Sequence, residues 1–196
     1  LFFIFRKGGK EKMIYCIVGK TSSGKDTIAK HLSKRFHIPL VCSATTRTMR
    51  CYETNGKEHW FVTKEEMEKI KTSPHVIAYT KMPVTGIEYA ATTDMVQGDD
   101  MIYIINPDGI RWFKAHGSKD IPMVSIYVDL PDTLIVDRAM KRGDKLSDIK
   151  DRLASESDEM NKFRDNKEYD YLIDNSGALA DVLEKADRII LSTKKN

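Results

Sequence analysis

The residues best suited to chemistry lie early in the chain, in GKTSSGKDT at positions 19–27. Gly19, four residues, and then Gly24-Lys25 have the spacing of a phosphate-binding loop. In such a loop, successive backbone N–H groups and the start of a helix face phosphate oxygens, and glycines let the backbone approach them closely. Lys20, Thr21, Ser22 and Ser23 fill the loop, and Lys25 would bridge the β- and γ-phosphates of a nucleoside triphosphate. Nucleotide hydrolases follow this lysine with a hydroxyl that ligates Mg²⁺. Here Asp26 takes that place and Thr27 comes one residue later. Asp26 has two readings. It could support the hydration shell of Mg²⁺, which prefers carboxylates and retained waters, or it is an acidic first-turn helix residue facing solvent.

The elements that must position this loop are legible around it. MIYCIV (13–18) is a short β-branched-rich run without alternation, as in a central parallel strand covered on both faces. Ile28, Ala29, Leu32 and Phe36 recur at helical spacing and predict a helix from Asp26 to Phe36, stopped by Ile38-Pro39. Strand, glycine-rich turn and helix make the first half of a βαβ unit. Further on, MIYII (101–105) and MVSIYV (123–128) repeat the buried-strand pattern. Pro107 opens a helix ending near Gly117. Helices are expected from about Asp132 to Lys141, from Ser147 to Phe163 and from Ala178 to Leu191, with YDYLID (169–174) as a last strand. Strands alternating with helices predict a three-layer α/β domain with a mostly parallel sheet.

Residues 43–92 differ in character, with scattered charge and turn residues. WFV reads as a short strand, Thr63-x-x-Glu66 as a capping box opening a helix to about Ser73, and VIAY (76–79) and 88–92 as short strands. This is the expected smaller subregion.

Composition sets the bounds. At 196 residues the chain buries the core of one domain. A formal net charge of +3 is too small to imply nucleic acid or an acidic membrane surface. No segment reaches the length of a membrane span, and LFFIF is broken at once by RKGGKEK. Residues 1–12 read as a disordered leader or an artificial extension, with Met13 a plausible start. Three cysteines without C-x-x-C or cysteine–histidine spacing suggest reduced thiols in a cytoplasm rather than zinc, with Cys16 as strand core.

From the phosphate loop onward the chain resembles guanylate kinase, of the nucleoside monophosphate kinase group. The carrying segments are GKTSSGKDT, SATTRTMRCYETNGKEHWFVTKEEM, the stretch from Arg138 to Arg152 and YDYLIDN. S-x-T-T-R-x-x-R followed by E-x-x-G-x-x-x-x-F is much more specific than the loop. The resemblance implies a three-layer P-loop kinase fold over 13–196, with a substrate-binding subregion at about 43–92 and a lid at about 141–152. It implies transfer of the γ-phosphoryl of ATP, with Mg²⁺, to a nucleoside monophosphate, GMP or dGMP first, by a monomer or homodimer.

By the same resemblance, Arg47 and Arg50 grip the acceptor phosphate, where bidentate guanidinium geometry suits the oxygens. Tyr89 donates a hydroxyl, Ser43 helps read the base, and His59 stands where the family has a tyrosine, as a phosphate donor or a surface histidine. Arg142 and Arg152 reach the donor phosphates on closure. Arg138 does so too or belongs to a polar helix face. Asp174 and Asn175 occupy the adenine-contacting region, although strand-end Asp-Asn is also ordinary turn chemistry.

Three departures from the family stand out. Ala78 and Ala91 replace a guanine-reading glutamate and serine, which would relax or redirect specificity toward another nucleotide or a phosphorylated metabolite. Glu88 or Asp94 could supply a replacement carboxylate, and the 81–87 loop is about two residues longer than is usual in the family. Ile104 and Asn106 replace acids that hold Mg²⁺ waters or substrate, with Asp108 nearby. Asp26 is the third. A non-catalytic interaction module is the rival of a different class, against which the retained Gly24, Lys25, Arg47, Arg50 and Arg142 argue.

Overall fold

A computed structural model describes residues 13–51, 53–82, 85–95, 100–116 and 121–194. The expected leader at 1–12, the helix end near Gly117 and residues 83–84 of the 81–87 loop lie outside the described residues. In chain order the elements are β1 Met13–Val18, α1 Lys25–Phe36, β2 Ala44–Thr45, β3 Trp60–Phe61, α2 Lys64–Lys71, β4 Val76–Lys81 and β5 Glu88–Thr92. They continue with β6 Asp100–Ile104, α3 Pro107–His116, β7 Met123–Asp129, α4 Asp132–Lys141, α5 Leu146–Asp165, β8 Tyr171–Asp174 and α6 Leu179–Thr193.

The main sheet has the order β6-β1-β7-β8, and all of its pairings are parallel. Side chains alternate across it. Tyr15, Ile17, Ile102, Ile126 and Val128 meet Ile28 and Leu32 of α1 and Val182 and Ile190 of α6. Ile14, Cys16, Val18 and Tyr127 meet Ile110 and Phe113 of α3 and Met160 and Phe163 of α5 on the other face. Both faces are covered, which is why β1 reads as an unbroken apolar run, and the result is the expected three-layer α/β architecture. Phe163 is fully buried, and truncating such a side chain costs about 3–5 kcal/mol. It anchors the C-terminal end of α5, whose middle meets the phosphate loop through Glu156.

The second sheet, β3-β2-β5-β4, is mixed, with β2 and β3 parallel and the other pairs antiparallel. Its helix α2 opens on the expected capping box: Thr63 Oγ1 accepts from Glu66 N–H, and Glu66 Oε2 accepts from Thr63 N–H at 2.7 Å. Met67 of α2 packs on Ala44 and Ala90. The two-residue β2 lies in the polar SATTR run, which carries no strand pattern. The last strand starts at Tyr171 rather than 169. Asp170 there bends its carboxylate back to accept from both N–H and Oγ of Ser125, each at 2.7 Å, and so replaces a ladder pairing. The expected lid region at about 141–152 is a tight turn through Arg142 and Gly143, the latter at φ 95°, followed by the first turns of α5.

The N-terminus of α3 is held by α5, because Glu159 Oε1 accepts from Asp108 N–H at 2.9 Å. Burial first, and then the Asp108 carboxylate, push Glu159 up to about 7. An acid with a raised folded value binds its proton more tightly in the fold, so stability is lost as pH rises from about 4.5 to about 7. Glu159→Gln keeps the acceptor and removes the charge. Its stability relative to wild type should therefore rise by about 1–3 kcal/mol between pH 5 and pH 8 in urea titrations. Parallel stability curves would contradict this.

Candidate active site

All strands of the main sheet run the same way, so their carboxyl ends share one edge, where open parallel sheets bind ligands. Four segments gather there: the 19–24 loop after β1, Asn106 after β6, Asp132 after β7 and Asn175 after β8. The loop follows β1, from which the sheet grows to β6 on one side and then to β7 and β8 on the other, so it lies at the switch point of the sheet.

Loop geometry demands its glycines. A Cβ on Gly19 would lie 2.6 Å from Ser23 Oγ and 2.7 Å from the Val128 carbonyl. Gly24, at φ 93°, caps α1 with no side-chain hydrogen bond among the described residues, leaving the first helical N–H groups directed at the loop. The loop is braced from behind. Asn175 Nδ2 donates to the Ser23 carbonyl at 2.6 Å, and Arg138 donates to the Asn175 carbonyl at 2.8 Å. Ser23 Oγ is buried and finds no partner among the described residues. A Cβ at Gly24 would fall 2.2 Å from Asn175 Nδ2. Gly24→Ala should therefore displace this brace and lower kcat/KM for ATP about a hundredfold, with a smaller change in the KM of the acceptor.

The loop's side chains divide by role. Lys20 is buried and paired with Asp132 at 2.8 Å, so it does not present its charge to a ligand. Lys25 Nζ rests on the Lys20 carbonyl at 3.3 Å, and Asp26, two-thirds exposed, lies 3.8 Å from Lys25. Ser22 Oγ accepts from Arg142 at 3.1 Å, and Thr21 N–H donates to Glu156 of α5 at 2.6 Å. Arg142 pairs with Asp144, and Arg152 lies 3.7 Å from the same carboxylate. Hydrogen bonding from Arg142 holds the Asp144 carboxyl below its ordinary range.

Thr27, Arg138, Asn175 and Leu179 line a cavity of about 270 Å³ behind the loop. Its strand-end wall is Asn175 and not Asp174, whose carboxylate turns to accept from Ser176 N–H at 2.9 Å. Asp174 thus serves the turn rather than the cavity.

The second sheet carries the other cluster. Ser43 Oγ lies 3.1 Å from His59 Nδ1, and the His59 ring meets Tyr89 and Phe61 edge-on at 5.8 and 6.0 Å. Arg47 stacks over Phe61 and binds Glu53 bidentately at 2.7 and 3.0 Å, with the Tyr89 hydroxyl also within its reach. Arg50 donates its backbone N–H to Glu53 at 2.8 Å. Burial tends to raise the Glu53 pKa, but the Arg47 hydrogen bonds and the Arg50 N–H outweigh it and bring the carboxyl down to about 2. Burial and the Arg47 charge lower His59, so its imidazole is neutral near pH 7 and works by hydrogen bonding rather than as a cation. After Arg142 and Arg152, the Arg50 charge also contributes, least of the three, to the lowered Asp144 carboxyl.

Ala78 pairs with Ala91 across the sheet, and both are buried in the cluster that includes Tyr103 and Ile105. The Tyr103 hydroxyl lies beside Ser43. Neither acid considered as a replacement faces this place. Glu88 accepts from Tyr79 Oη at 2.5 Å and lies 3.8 Å from Lys71, on the α2 side of the sheet. Asp94 is exposed on a short helical turn beyond β5. Ile104 packs into the core, Asn106 donates to Thr80 Oγ1 at 3.1 Å, and Asp108 pairs with Arg111.

Three residues of the site escaped notice in the sequence. Glu53 stands in the E-x-x-G motif, Asp144 two residues after Arg142, and Glu156 one helical turn after Arg152. In each case spacing from a neighbouring arginine is the signal that marks them. Among the described residues no group of three His, Cys, Asp or Glu side chains is placed to hold a metal, and no helix is long and apolar enough to cross a membrane.

Comparison with known proteins agrees with this geometry. The family model described as guanylate kinase matches residues 11–193. A guanylate kinase of Maricaulis maris is 31% identical over 95% of this chain and 85% of its own length. One of Clostridioides difficile is 30% identical over 95% of this chain and 90% of its own. The crystal structure of guanylate kinase from Anaplasma phagocytophilum superposes with a TM-score of 0.64 at 24% identity, covering 94% of this chain and 87% of that one, a likeness of fold. With a phosphate loop on one sheet, a paired-arginine cluster on the other and a family model spanning nearly all of it, the chain belongs to the guanylate kinase family.

Proposed function

We propose that this phosphotransferase moves the γ-phosphoryl of ATP to GMP or dGMP, forming ADP and GDP or dGDP. The observation that carries the reading is the presence of two phosphate grips in one fold. Lys25 and the α1 N-terminus form one, Arg47 and Arg50 the other, and the Asp144 carboxylate that pairs with Arg142 and Arg152 also feels the Arg50 charge. Phosphoryl transfer needs positioning and charge neutralisation more than covalent help. The acceptor phosphate is already anionic, so no general base is required of these residues.

Each residue then has a task. The 19–24 loop and Lys25 orient the β- and γ-phosphates. Arg138, Asn175 and Thr27 shape the cavity on the adenosine side. Arg47, Arg50, His59 and Tyr89 hold the acceptor phosphate, with Ser43 and the Tyr103 hydroxyl as the polar groups toward the base. Arg142 and Arg152 exchange Asp144 for the transferring oxygens on closure, where preorganised cations act most strongly.

Mg²⁺ takes one or two protein carboxylates, with phosphate oxygens and water completing its shell. Asp26, exposed beside Lys25 at the loop, is a donor of this kind. When bound with ATP the ion would neutralise charge on the β- and γ-oxygens. The free cysteines fit action in the cytoplasm, and the modest net charge fits small anionic substrates rather than nucleic acid or an acidic membrane surface.

A panel of nucleoside monophosphates in a coupled ADP assay tests the acceptor. GMP and dGMP are expected to exceed AMP, CMP and UMP by at least about a hundredfold in kcat/KM, the scale set by hydrogen-bonded base recognition. Equal turnover of all acceptors would refute guanine specificity and assign the apolar Ala78–Ala91 wall to a relaxed site.

A further inference from the structure

The phosphate loop already holds a carboxylate. Glu156 lies on α5 one turn beyond Arg152, and its Oε1 accepts a 2.6 Å hydrogen bond from Thr21 N–H. Thr21 belongs to the loop whose backbone N–H groups are arranged for phosphate oxygens. Lys25 and Lys20 of the loop and Arg152 of its own helix all attract the Glu156 charge. Lys20 is compensated by Asp132 and Arg152 is shared with Asp144. Lys25, which should serve the β- and γ-phosphates and whose own neighbour Asp26 is exposed, exerts the largest of the three attractions on this carboxylate. Burial outweighs all three bases and leaves the Glu156 carboxyl above its ordinary range, as for an anion taken out of water into a closed loop.

A desolvated anion on a phosphate-loop N–H, in the field of the phosphate lysine, occupies the role of a phosphate. We propose that Glu156 is an anionic placeholder in the nucleotide-free loop and that it makes nucleotide binding depend on Mg²⁺. This rests on the reading of the loop as the ATP site. A bare triphosphate entering beside Thr21 meets a carboxylate at close range, and like charges in a partly buried site repel strongly. A triphosphate carrying Mg²⁺ brings less negative charge and an ion that favours carboxylate and water oxygens. The same side chain then changes from an obstacle to a partner.

Calorimetric titration of ATP, in chelator and in excess Mg²⁺, tests this with wild type and Glu156→Gln. Glutamine keeps an acceptor for Thr21 N–H and loses only the charge. The variant should bind metal-free ATP about tenfold more tightly than wild type, about 1.4 kcal/mol. Its affinity for ATP with Mg²⁺ should stay within about threefold, so the enhancement by Mg²⁺ shrinks. Glu159→Gln, one turn further along α5 and away from the loop, should leave the enhancement unchanged. Glu156→Ala should shift it in the same direction as the glutamine variant, and it decides the matter if that variant melts early. Wild type that binds ATP with the same Mg²⁺ enhancement as both Glu156 variants would overturn the placeholder alone. Wild type that binds no ATP in either condition would overturn the ATP reading with it.

Discussion

Lys25→Ala is expected to lower kcat about a thousandfold while the fold stays intact. Among the described residues its ammonium group donates to the Lys20 carbonyl at 3.3 Å and lies 3.8 Å from the exposed Asp26. Removing it takes one attractive charge from Glu156, which keeps the Thr21 N–H and the Lys20 and Arg152 charges, so the melting temperature should fall only slightly. Its charge matters where negative charge concentrates during transfer, and loss of one preorganised donor of that kind costs about 2.7–4 kcal/mol of transition-state stabilisation. ATP affinity should fall by less than kcat, because a group that acts mainly on the transition state appears in kcat. Steady-state kinetics with a thermal melt on the same sample checks both parts. Equal losses in affinity and kcat/KM, with kcat unchanged, would make Lys25 a simple ground-state binder.

Arg47→Ala combines a functional loss with a structural one. Arg47 is bound bidentately to Glu53, which is only 5% exposed. Deleting the arginine strands a buried carboxylate, and breaking such a pair costs about 3–5 kcal/mol. It also removes the guanidinium that would meet the acceptor phosphate, so the KM for GMP should rise at least about a hundredfold with the KM for ATP little altered. Adding Glu53→Gln separates the effects, since the double variant should recover stability without recovering GMP affinity. The pH dependence follows from the depressed Glu53 pKa. Its contribution is complete above about 4.5 and lost as pH falls toward about 2. In Arg47→Ala this acid-side loss should shrink, because burial then opposes the charged form with only Arg50 left to favour it. Urea titrations at pH 3 and pH 7 read the change directly.

The distance between sequence and structure has physical reasons. β1 and β7 are the inner strands of a parallel sheet and β6, at one end of its order, is covered on both faces too, so all three wrote themselves as apolar runs, and α1 announced itself by its core stripe. β2 is only Ala44 and Thr45, set in a polar run and held by its neighbours rather than by propensity, and no periodicity could reveal it. The loop and both arginine pairs were visible as motifs because phosphate recognition dictates residue type and spacing. Their anchors were not, because Glu53, Asp144 and Glu156 do their work through contacts that only the fold creates. Glu88 shows the converse. It was a reasonable substitute for a missing base reader until strand alternation turned it toward Tyr79 and Lys71. The sequence lists acids, and the pleat decides which side they face.

The most direct measurement follows the phosphorus itself. With ATP labelled at the γ-phosphoryl, GMP and Mg²⁺, the account predicts that the label moves to the β-position of GDP, one GDP formed for each ADP. Label recovered as inorganic phosphate at the same rate with and without GMP, or retained in ATP, would contradict it.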